Sequence, residues 1–180
     1  MNSPFPNGVA KRTGKRKLSK ARNGPLSRST GFNDQTVTAT LDTLENLIPL
    51  FDAYRAFYGA DSDRAAARAF LLERFVLRES VVFLAYQGEQ AVGFTQLYPL
   101  FSSTAMQRTW LLNDLYVVPE LRGQRVGEAL IERALEHARI SGAARVELST
   151  AHTNLSGQKL YERMGFERRD TQFRTYVKEV

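Results

Sequence analysis

A basic, glycine-containing turn follows an apolar run in residues 113–131, which read NDLYVVPELRGQRVGEALI. Gly123 and Gly127 would let the backbone approach an anion closely, and Arg122 and Arg125 place positive charge beside it. The first turn of a helix adds backbone amides that lack partners within the helix. This pattern is typical of a phosphate-binding turn, although α/β domains also use glycine in this place merely to permit the turn.

Hydrophobic periodicity predicts the two elements that would hold this turn. The apolar residues 111–118 indicate a strand that ends before Pro119. Beyond the turn, apolar residues recur every three or four positions and predict an amphipathic helix that Gly142 ends. The apolar stripe of this helix consists of Val126, Leu130, Ile131, Ala134, Leu135 and Ala138.

The N-terminal half shows one strand pattern and two helix patterns. Residues 36–41 alternate between apolar and polar side chains, which predicts a first strand. Asp42 and Glu45 resemble a capping box that begins a first helix. A second helix is predicted to start near Ser62 or Asp63. Its predicted apolar face consists of Ala66, Ala69, Phe70, Phe75 and Leu77.

The C-terminal part of the chain alternates between further strand and helix patterns, which indicates an α/β or α+β sheet with helices packed on it. The predicted segments are a hairpin of strands at 81–86 and 91–98, a loop at 99–107, a strand at 145–149, a short helix at 155–164, and two final strands within 166–180 around Asp170.

The composition excludes several kinds of chemistry. The chain of 180 residues has no cysteine, so disulfides, thiolate metal sites and an acyl-cysteine mechanism are ruled out. His137 and His152 are the two histidines and are not clustered with other ligands, so no metal site is expected. His137 lies on a charged helix face and is predicted to be solvated. The sequence has no apolar run long enough to span a membrane and no secretory signal pattern, so a cytoplasmic protein is expected.

The positive charge is concentrated at the N-terminus. Residues 1–35 hold eight of the 25 Lys and Arg residues but one of the 19 Asp and Glu residues, and they show no apolar periodicity. We therefore predict a disordered basic tail at 1–35 and a folded domain at 36–180. The tail could contact nucleic acid weakly and without sequence preference, or it could be a solvated extension or the product of a start site assigned too early.

Two motifs together resemble the GCN5-related N-acetyltransferase superfamily. They are VVPELRGQRVGEALI and STAHTNLSGQKLYERMGF, and the likeness covers residues 36–180. The segments LFDAYRAFYG, GFTQLYP and LLNDLYV look like its branch of histone, polyamine and amino-acid acetyltransferases. The resemblance implies an α+β, three-layer acyl-CoA N-acyltransferase fold. Its mixed, mostly antiparallel sheet would be splayed at the middle and flanked by helices, with acetyl-CoA in the cleft and no metal.

The resemblance also assigns a binding role to residues around the turn. The backbone of Leu115, Tyr116 and Val117 would pair with the pantetheine amides as an added strand does. The pyrophosphate would lie on the turn and the helix start, formed by Arg122, Gly123, Gln124, Arg125, Val126, Gly127, Glu128 and Ala129. Arg125 stands where the family commonly has glycine, which matters if this position requires a positive φ. Asn154 matches the family's cofactor-contacting asparagine, and Gly157 replaces an alanine common three residues later.

Amine acetylation requires a group that deprotonates the amine and an acid that protonates the departing thiolate. Tyr161 matches the family tyrosine that lies beside the sulfur and serves as the acid. Some relatives place a glutamate base at the position of Asn113, which cannot accept a proton here. Asp114 is an alternative base if a bulge turns it from the opposite face of the strand, and His152 is another. The predicted residues of the acceptor pocket are Tyr54, Tyr58, Gln96, Tyr98 and Asn113.

The sequence therefore predicts an acetyl-CoA-dependent N-acetyltransferase that acts on a primary amine through a ternary complex. A small-molecule amine, such as an amino acid or a polyamine, is favoured over a lysine in a peptide or protein. Two alternatives stay open: a catalytically weak CoA-binding sensor, and an acetyltransferase domain tethered to nucleic acid by the basic tail. Relatives in this branch often form homodimers, an assembly for which the sequence itself shows no interface.

Overall fold

Five strands form one sheet, in the order β1-β2-β3-β4-β5, in a computed structural model that describes residues 35–169 and 176–180. Neighbouring strands from β1 to β4 are antiparallel, whereas β5 is parallel to β4. The predicted mixed, mostly antiparallel sheet is thus confirmed. The strands are β1 (Gln35–Thr38), β2 (Val81–Gln87), β3 (Gln90–Ser102), β4 (Gln107–Val117) and β5 (Val146–Glu147).

Four helices cover the two faces of this sheet and complete the predicted three layers. They are α1 (Leu44–Phe57), α2 (Arg64–Val76), α3 (Val126–Ile140) and α4 (Leu155–Arg163). Helices α1 and α2 share one apolar core with Leu84, Phe94 and Tyr116 of the sheet. Helix α3 lies over the other face with Phe83 and Leu97, and α4 packs beside it. None of the helices in these described ranges is long and apolar enough to cross a membrane.

The first strand, predicted at 36–41, is β1 at Gln35–Thr38, so it begins one residue earlier and is shorter than predicted. Residues 1–34 lie outside the described residues, so the basic tail and its contact with nucleic acid stay predictions. The two final strands predicted within 166–180 do not form in the parts that the structure describes, 166–169 and 176–180. The intervening residues 170–175, including Asp170, lie outside the described part of the chain.

The β3–β4 hairpin is longer than predicted. Most of the predicted loop at 99–107 is strand, and the turn is confined to residues 103–106. Phe101 is the cross-strand partner of Arg108, whose guanidinium lies 4.9 Å from the centre of the Phe101 ring. Such a cross-strand pair supports the extension of both strands. By contrast, β5 is two residues long where a strand of five was predicted.

The predicted capping box at the first helix is wrong. The amide of Thr40 donates to Oγ1 of Thr43 at 2.9 Å around a short 3-10 turn, Leu41–Thr43, that precedes α1. Glu45 instead accepts a hydrogen bond at 2.9 Å from Nε of Arg68 in α2. The predicted start of the second helix is confirmed, because Asp63 accepts from the amide of Ala66 at 2.8 Å.

The buried face of α2 is also not the predicted one. Ala67 and Leu71 are the residues of α2 that are fully buried, whereas Ala66, Ala69 and Phe70 are exposed. Both buried residues belong to the core that α2 shares with α1. Because α2 packs mainly against another helix, it needs only a narrow stripe of apolar side chains.

Asp52 is a buried carboxylate that joins α1 to the turn before α2. It is 5% exposed, and it accepts hydrogen bonds from Oγ of Ser62 at 2.6 Å and from the amide of Asp63 at 2.8 Å. The hydrogen bond from Ser62 is the largest cause that lowers the pKa of Asp52 below its usual value, and the nearby guanidiniums of Arg55 and Arg64 add to the effect. The side chain therefore fixes the position at which α2 begins.

Asp52→Asn should lower the free energy of unfolding at pH 7 by about 1–3 kcal/mol, because the amide weakens the hydrogen bonds that the charged group accepts. The folded-state pKa of Asp52 is depressed, so its ionised form stabilises the fold above the unfolded-state pKa. This contribution is lost as the pH falls through the folded-state pKa. Urea unfolding of both proteins should thus show a difference at pH 7 that shrinks below about pH 4. Asp61→Asn in the same loop is exposed and serves as the control.

Candidate active site

A cleft opens where β4 continues beyond the end of β5. Strand β5 pairs with Trp110 and Leu111 of β4, and β4 then runs on to Val117 without a partner on that side. The chain leaves the sheet after Glu147 and returns as α4, which forms the far wall. The resulting space has a volume of about 350 Å³. It corresponds to the predicted splay of the sheet and lies within the usual size range of small-molecule sites.

The turn before α3 forms one end of this cleft. Its Gly123 and Arg125 have φ values of 78° and 70°. The first hydrogen bond of the helix runs from the amide of Ala129 to the carbonyl of Arg125 at 3.0 Å. The amides of residues 126–128 precede this bond and are the unpaired donors that a helix N-terminus presents. Gly123, Arg125, Gly127 and Glu128 line the cleft, so these amides form a candidate anion-binding site, here called the anion cradle, at the predicted position.

Arg125, which stands where the family commonly has glycine, does adopt the left-handed backbone conformation with a positive φ. Its guanidinium pairs with Glu128 at 2.8 Å, and Glu128 also accepts from Arg163 of α4 at 2.8 Å. The hydrogen bond from Arg125 is the largest cause that lowers the pKa of Glu128. Glu128 therefore connects the cradle to α4 and partly neutralises both arginines.

Replacing Arg125 by glycine should give a more stable protein than replacing it by alanine. Both changes remove the ion pair with Glu128, but only glycine adopts the φ of 70° without a steric cost of about 1 kcal/mol. Without such strain, the glycine variant would be less stable than the alanine variant by roughly 0.5–1 kcal/mol. A more stable glycine variant would therefore show that the positive φ strains alanine by more than this amount. Urea unfolding midpoints measure it, and an alanine variant of equal or greater stability would contradict this explanation.

Arg122 joins the turn to the end of β4. Its Nε donates to the carbonyl of Val117 at 3.0 Å, and its guanidinium lies 5.4 Å from the ring centre of Phe57 and 5.8 Å from that of Tyr116. Because a carbonyl oxygen has two lone pairs, Val117 can still accept a second hydrogen bond, as the predicted pantetheine contact requires. Leu115, Tyr116 and Val117 all line the cleft, whereas Gln124, Val126 and Ala129 do not.

Asn154 lies on the opposite wall and caps α4. Its Oδ1 accepts from the amide of Gly157 at 3.0 Å, and its Nδ2 donates to Oγ1 of Thr150 at 3.0 Å. A Cβ atom at position 157 would lie 2.6 Å from that Nδ2. The glycine at this position therefore leaves room for the capping side chain, which the sequence pattern alone did not indicate.

Tyr161 lines the cleft from α4. Its ring packs against Phe166, with 6.0 Å between the ring centres, and its side chain is partly buried. This burial is the largest cause that raises the pKa of Tyr161 above its usual value. The phenol is therefore neutral near pH 7 and holds a proton that it can donate.

A β-bulge decides which way the polar residues of β4 point. Gln96 is paired with Asp114, but its neighbour Leu97 is paired with Leu112, so Asn113 is the extra residue. Leu112 packs in the core beneath α3, whereas Asp114 lies on the other face, where it interacts with Tyr54 of α1. The redirection that the sequence analysis required for Asp114 is thus present.

Asp114 is 4% exposed and does not itself line the cleft. Nδ2 of Asn113 donates to its Oδ1 at 3.0 Å, and the Tyr54 side chain lies close enough for the two groups to change each other's pKa. Burial raises the pKa of Asp114, although the interactions with Tyr54 and Asn113 oppose this effect. Tyr54 and Asn113 do line the cleft, so these two side chains connect Asp114 to the cleft.

Three further predicted site residues also do not line the cleft walls. His152 is exposed in the loop before α4, where its carbonyl accepts from Gln158 at 3.0 Å. Gln96 is 0% exposed and donates to Oγ of Ser80 at 2.9 Å, inside the sheet. Tyr98 is half-buried on β3, and burial raises its pKa to about 12. Both residues lie on β3, one strand away from the edge of β4 where the cleft is formed, and neither lines it.

Several cleft residues were missed by the sequence analysis. Phe57 and Arg163 both line the cleft. Phe57 follows Tyr54 by three positions on α1, so helical spacing from a predicted pocket residue could have found it. The predicted solvation of His137 is wrong, because its ring is half-buried between Phe83 and Trp110, with ring centres 5.7 and 4.9 Å away.

A mixed sheet with helices on both faces and a cleft beside the anion cradle agrees with the acetyltransferase fold that the sequence motifs imply. The model of the Acetyltransferase (GNAT) family matches residues 47–166. The chain is therefore a member of this family and an N-acetyltransferase.

Relatives and solved structures agree with this assignment. The uncharacterised N-acetyltransferase YhfO of Bacillus subtilis is 43% identical over 134 residues, which cover 74% of this chain and 89% of YhfO. Bovine thialysine N-epsilon-acetyltransferase is 35% identical over 79 residues, covering 44% of this chain and 46% of the bovine protein. The crystal structure of a probable acetyltransferase matches with a TM-score of 0.75 and 43% identity, and it covers 81% of this chain and 97% of the other.

Proposed function

We propose that this enzyme transfers the acetyl group of acetyl-CoA directly to the primary amine of a small cationic molecule, such as an amino acid or a polyamine. One observation carries the proposal. The anion cradle before α3, the unpaired end of β4 and Tyr161 of α4 all form walls of the same cleft. A nucleotide thioester needs an anion site and a polar strand end, and the thiolate that leaves it needs an acid.

The residues of this chain fit acetyl-CoA, which enzymes of this family generally use. The amides of residues 126–128 would bind the pyrophosphate, and the backbone of Leu115 and Val117 would bind the pantetheine. Gly127 fits this role because a Cβ atom there would lie 3.2 Å from Cδ2 of Leu160 and narrow the cleft. When bound, acetyl-CoA supplies an activated acetyl group.

The absence of cysteine rules out an acyl-cysteine intermediate and supports direct transfer. The acceptor amine must lose its proton before it can attack, and the departing thiolate must gain one. The neutral phenol of Tyr161 is the proton donor on the cleft wall, and Asp114 with Tyr54 is the proton-accepting pair. His152 is exposed outside the cleft walls, which makes it the weaker candidate for a base.

The aromatic end of α1 supports a small cationic acceptor. Tyr54, Phe57 and Tyr58 line the cleft, with ring centres 5.0 Å apart for the two tyrosines and 5.3 Å apart for Phe57 and Tyr58. Aromatic faces attract ammonium groups, and the buried carboxyl of Asp114 adds a negative charge behind them when ionised. The name of the bovine relative points to the same class, an amino acid with a side-chain amine.

The test is the release of free CoA thiol from acetyl-CoA in the presence of amino acids, polyamines, aminoglycosides and lysine peptides. We expect release that depends on a free amino acid or a polyamine, with product mass increased by one acetyl group. Release with lysine peptides alone would overturn the proposed acceptor class. Acetyl-CoA binding by calorimetry without release with any amine would instead identify a CoA-binding sensor.

A further inference from the structure

We infer that Tyr54 and Asp114 form a proton relay, in which Tyr54 passes a proton from the acceptor ammonium to the buried carboxylate. This inference rests on the proposed function and assigns a catalytic role to Tyr54, which the sequence pattern had placed only in the acceptor pocket. The reason is geometric. Asp114 is 4% exposed and does not line the cleft, so a bound amine reaches its carboxylate only through a neighbouring side chain.

Among the neighbours of Asp114 that line the cleft, Tyr54 has a transferable proton. Its side chain forms part of the cleft wall beside Tyr58, and it lies close enough to Asp114 for the two groups to change each other's pKa. Asn113 also contacts both the cleft and the carboxylate, but its amide cannot exchange protons near neutral pH. The backbone at Asp114 is held as well, because Oγ1 of Thr95 donates to its carbonyl at 2.9 Å. Contacts from both β3 and β4 therefore hold Asp114 in position.

The surroundings of the pair favour proton acceptance by Asp114. Burial raises the pKa of its carboxyl, which brings the carboxylate closer in proton affinity to an amine. The titratable groups that face the pair are Tyr58 of α1 and Tyr161 of α4 beside Tyr54, and Tyr98 of β3 beside Asp114. Arg74 and Glu79, an ion pair at 2.6 Å, act on the far side of Tyr98.

The proton balance of the reaction closes with these groups. The ammonium gives one proton to the hydroxyl oxygen of Tyr54 while that hydroxyl gives its own proton to Asp114. The nitrogen lone pair then forms a bond to the acetyl carbon, the carbon–sulfur bond breaks, and the thiolate takes the proton of Tyr161. The second proton of the nitrogen restores Tyr161, and the proton on Asp114 leaves to solvent when the products depart.

Tyr54→Phe and Asp114→Asn test the relay, and Tyr86→Phe is the matched control, since Tyr86 hydrogen-bonds to Asn46 outside the cleft. At pH 7, Tyr54→Phe and Asp114→Asn should each lower kcat by about 100-fold, as expected for the loss of an acid–base group. Because the variants would use only amine that is already neutral, their rates should rise about tenfold per pH unit below the pKa of the acceptor. The wild-type rate should be nearly flat over the same range once Asp114 is ionised.

The double variant distinguishes a relay from two independent contributions. If the two groups act as one unit, Tyr54→Phe combined with Asp114→Asn should be no slower than either single change. Multiplied effects, a pH-independent loss or full activity of Tyr54→Phe would each overturn the relay. A wild-type enzyme without amine-dependent thiol release would overturn the proposed function itself, which keeps the two failures apart.

Folding is checked separately in this experiment. Asp114→Asn keeps an oxygen that accepts hydrogen bonds. It also removes a carboxyl group whose pKa is raised in the folded protein, so that ionisation of this group lowers the stability of the fold when the pH is above its folded-state pKa. The thermal midpoint at neutral pH should therefore not fall. An activity loss that tracks a lower midpoint or a raised KM, with an unchanged pH profile, would show a structural role and overturn the relay.

Discussion

Tyr161→Phe should lower kcat by about 100-fold or more, because the variant lacks the group that protonates the departing thiolate. The substitution removes only the hydroxyl, so the ring can keep its contact with Phe166. The acetyl-CoA dissociation constant and the thermal midpoint should change little. Steady-state thiol release and calorimetry measure these quantities, with Tyr86→Phe as the control for loss of a hydroxyl elsewhere.

The pH profile gives a second measurement on the same residue. A general acid acts in its protonated form, and burial raises the pKa of Tyr161 above the usual value of 10.0. The alkaline loss of wild-type activity that this group causes should therefore lie above pH 10. An unchanged kcat in Tyr161→Phe would remove Tyr161 from the mechanism, and an alkaline limb well below pH 10 would assign that limb to another group.

Gly127→Asp should weaken acetyl-CoA binding by about 100-fold, because it adds a negative charge to a cradle of helix amides that favours anions. The first Cβ atom alone would lie 3.2 Å from Cδ2 of Leu160, a flexible side-chain atom that can move by the required few tenths of an ångström. An aspartate in the first turn stabilises a helix by about 0.3–1 kcal/mol, so the fold should survive. Loss of binding would then report the cradle rather than unfolding.

Gln107→Glu is the control for the cradle variant, because it adds the same charge at the exposed opposite end of β4. Calorimetric titration with acetyl-CoA at two salt concentrations compares the three proteins. Added salt should recover part of the affinity of Gly127→Asp, since the loss is electrostatic. Unchanged affinity in Gly127→Asp would show that the pyrophosphate lies elsewhere.

Local patterns in the sequence identified most of the elements that form the site. The apolar stripe of α3 was read correctly because it repeats along one helix face, and Gly142 ends that helix with a positive φ of 67°. The basic turn and the helix start after it were found because glycine, arginine and a helix start are neighbours in the chain. The family resemblance rested on the same short-range motifs, and the matching family model confirms it.

Predictions that depended on strand register or on packing between layers were less successful. Gln96 and Tyr98 lie on β3, one strand away from the cleft edge of β4; Gln96 is buried, Tyr98 is half-buried, and neither lines the cleft. Asp52 was overlooked because its partners Ser62 and Asp63 lie ten and eleven positions away, across the turn between the helices.

The sequence by itself determined the start of α2, the apolar stripe of α3, the glycine-containing turn before α3 and the absence of a cysteine nucleophile. These depend on residue types and on contacts within a few positions along the chain. Only the tertiary structure decided that Asn113 is the bulged residue, that Asp114 therefore turns to Tyr54, and that Arg125 adopts a positive φ. The physical reason is that a one-residue change in register reverses the face of every following side chain, and register is set by pairing with a distant strand.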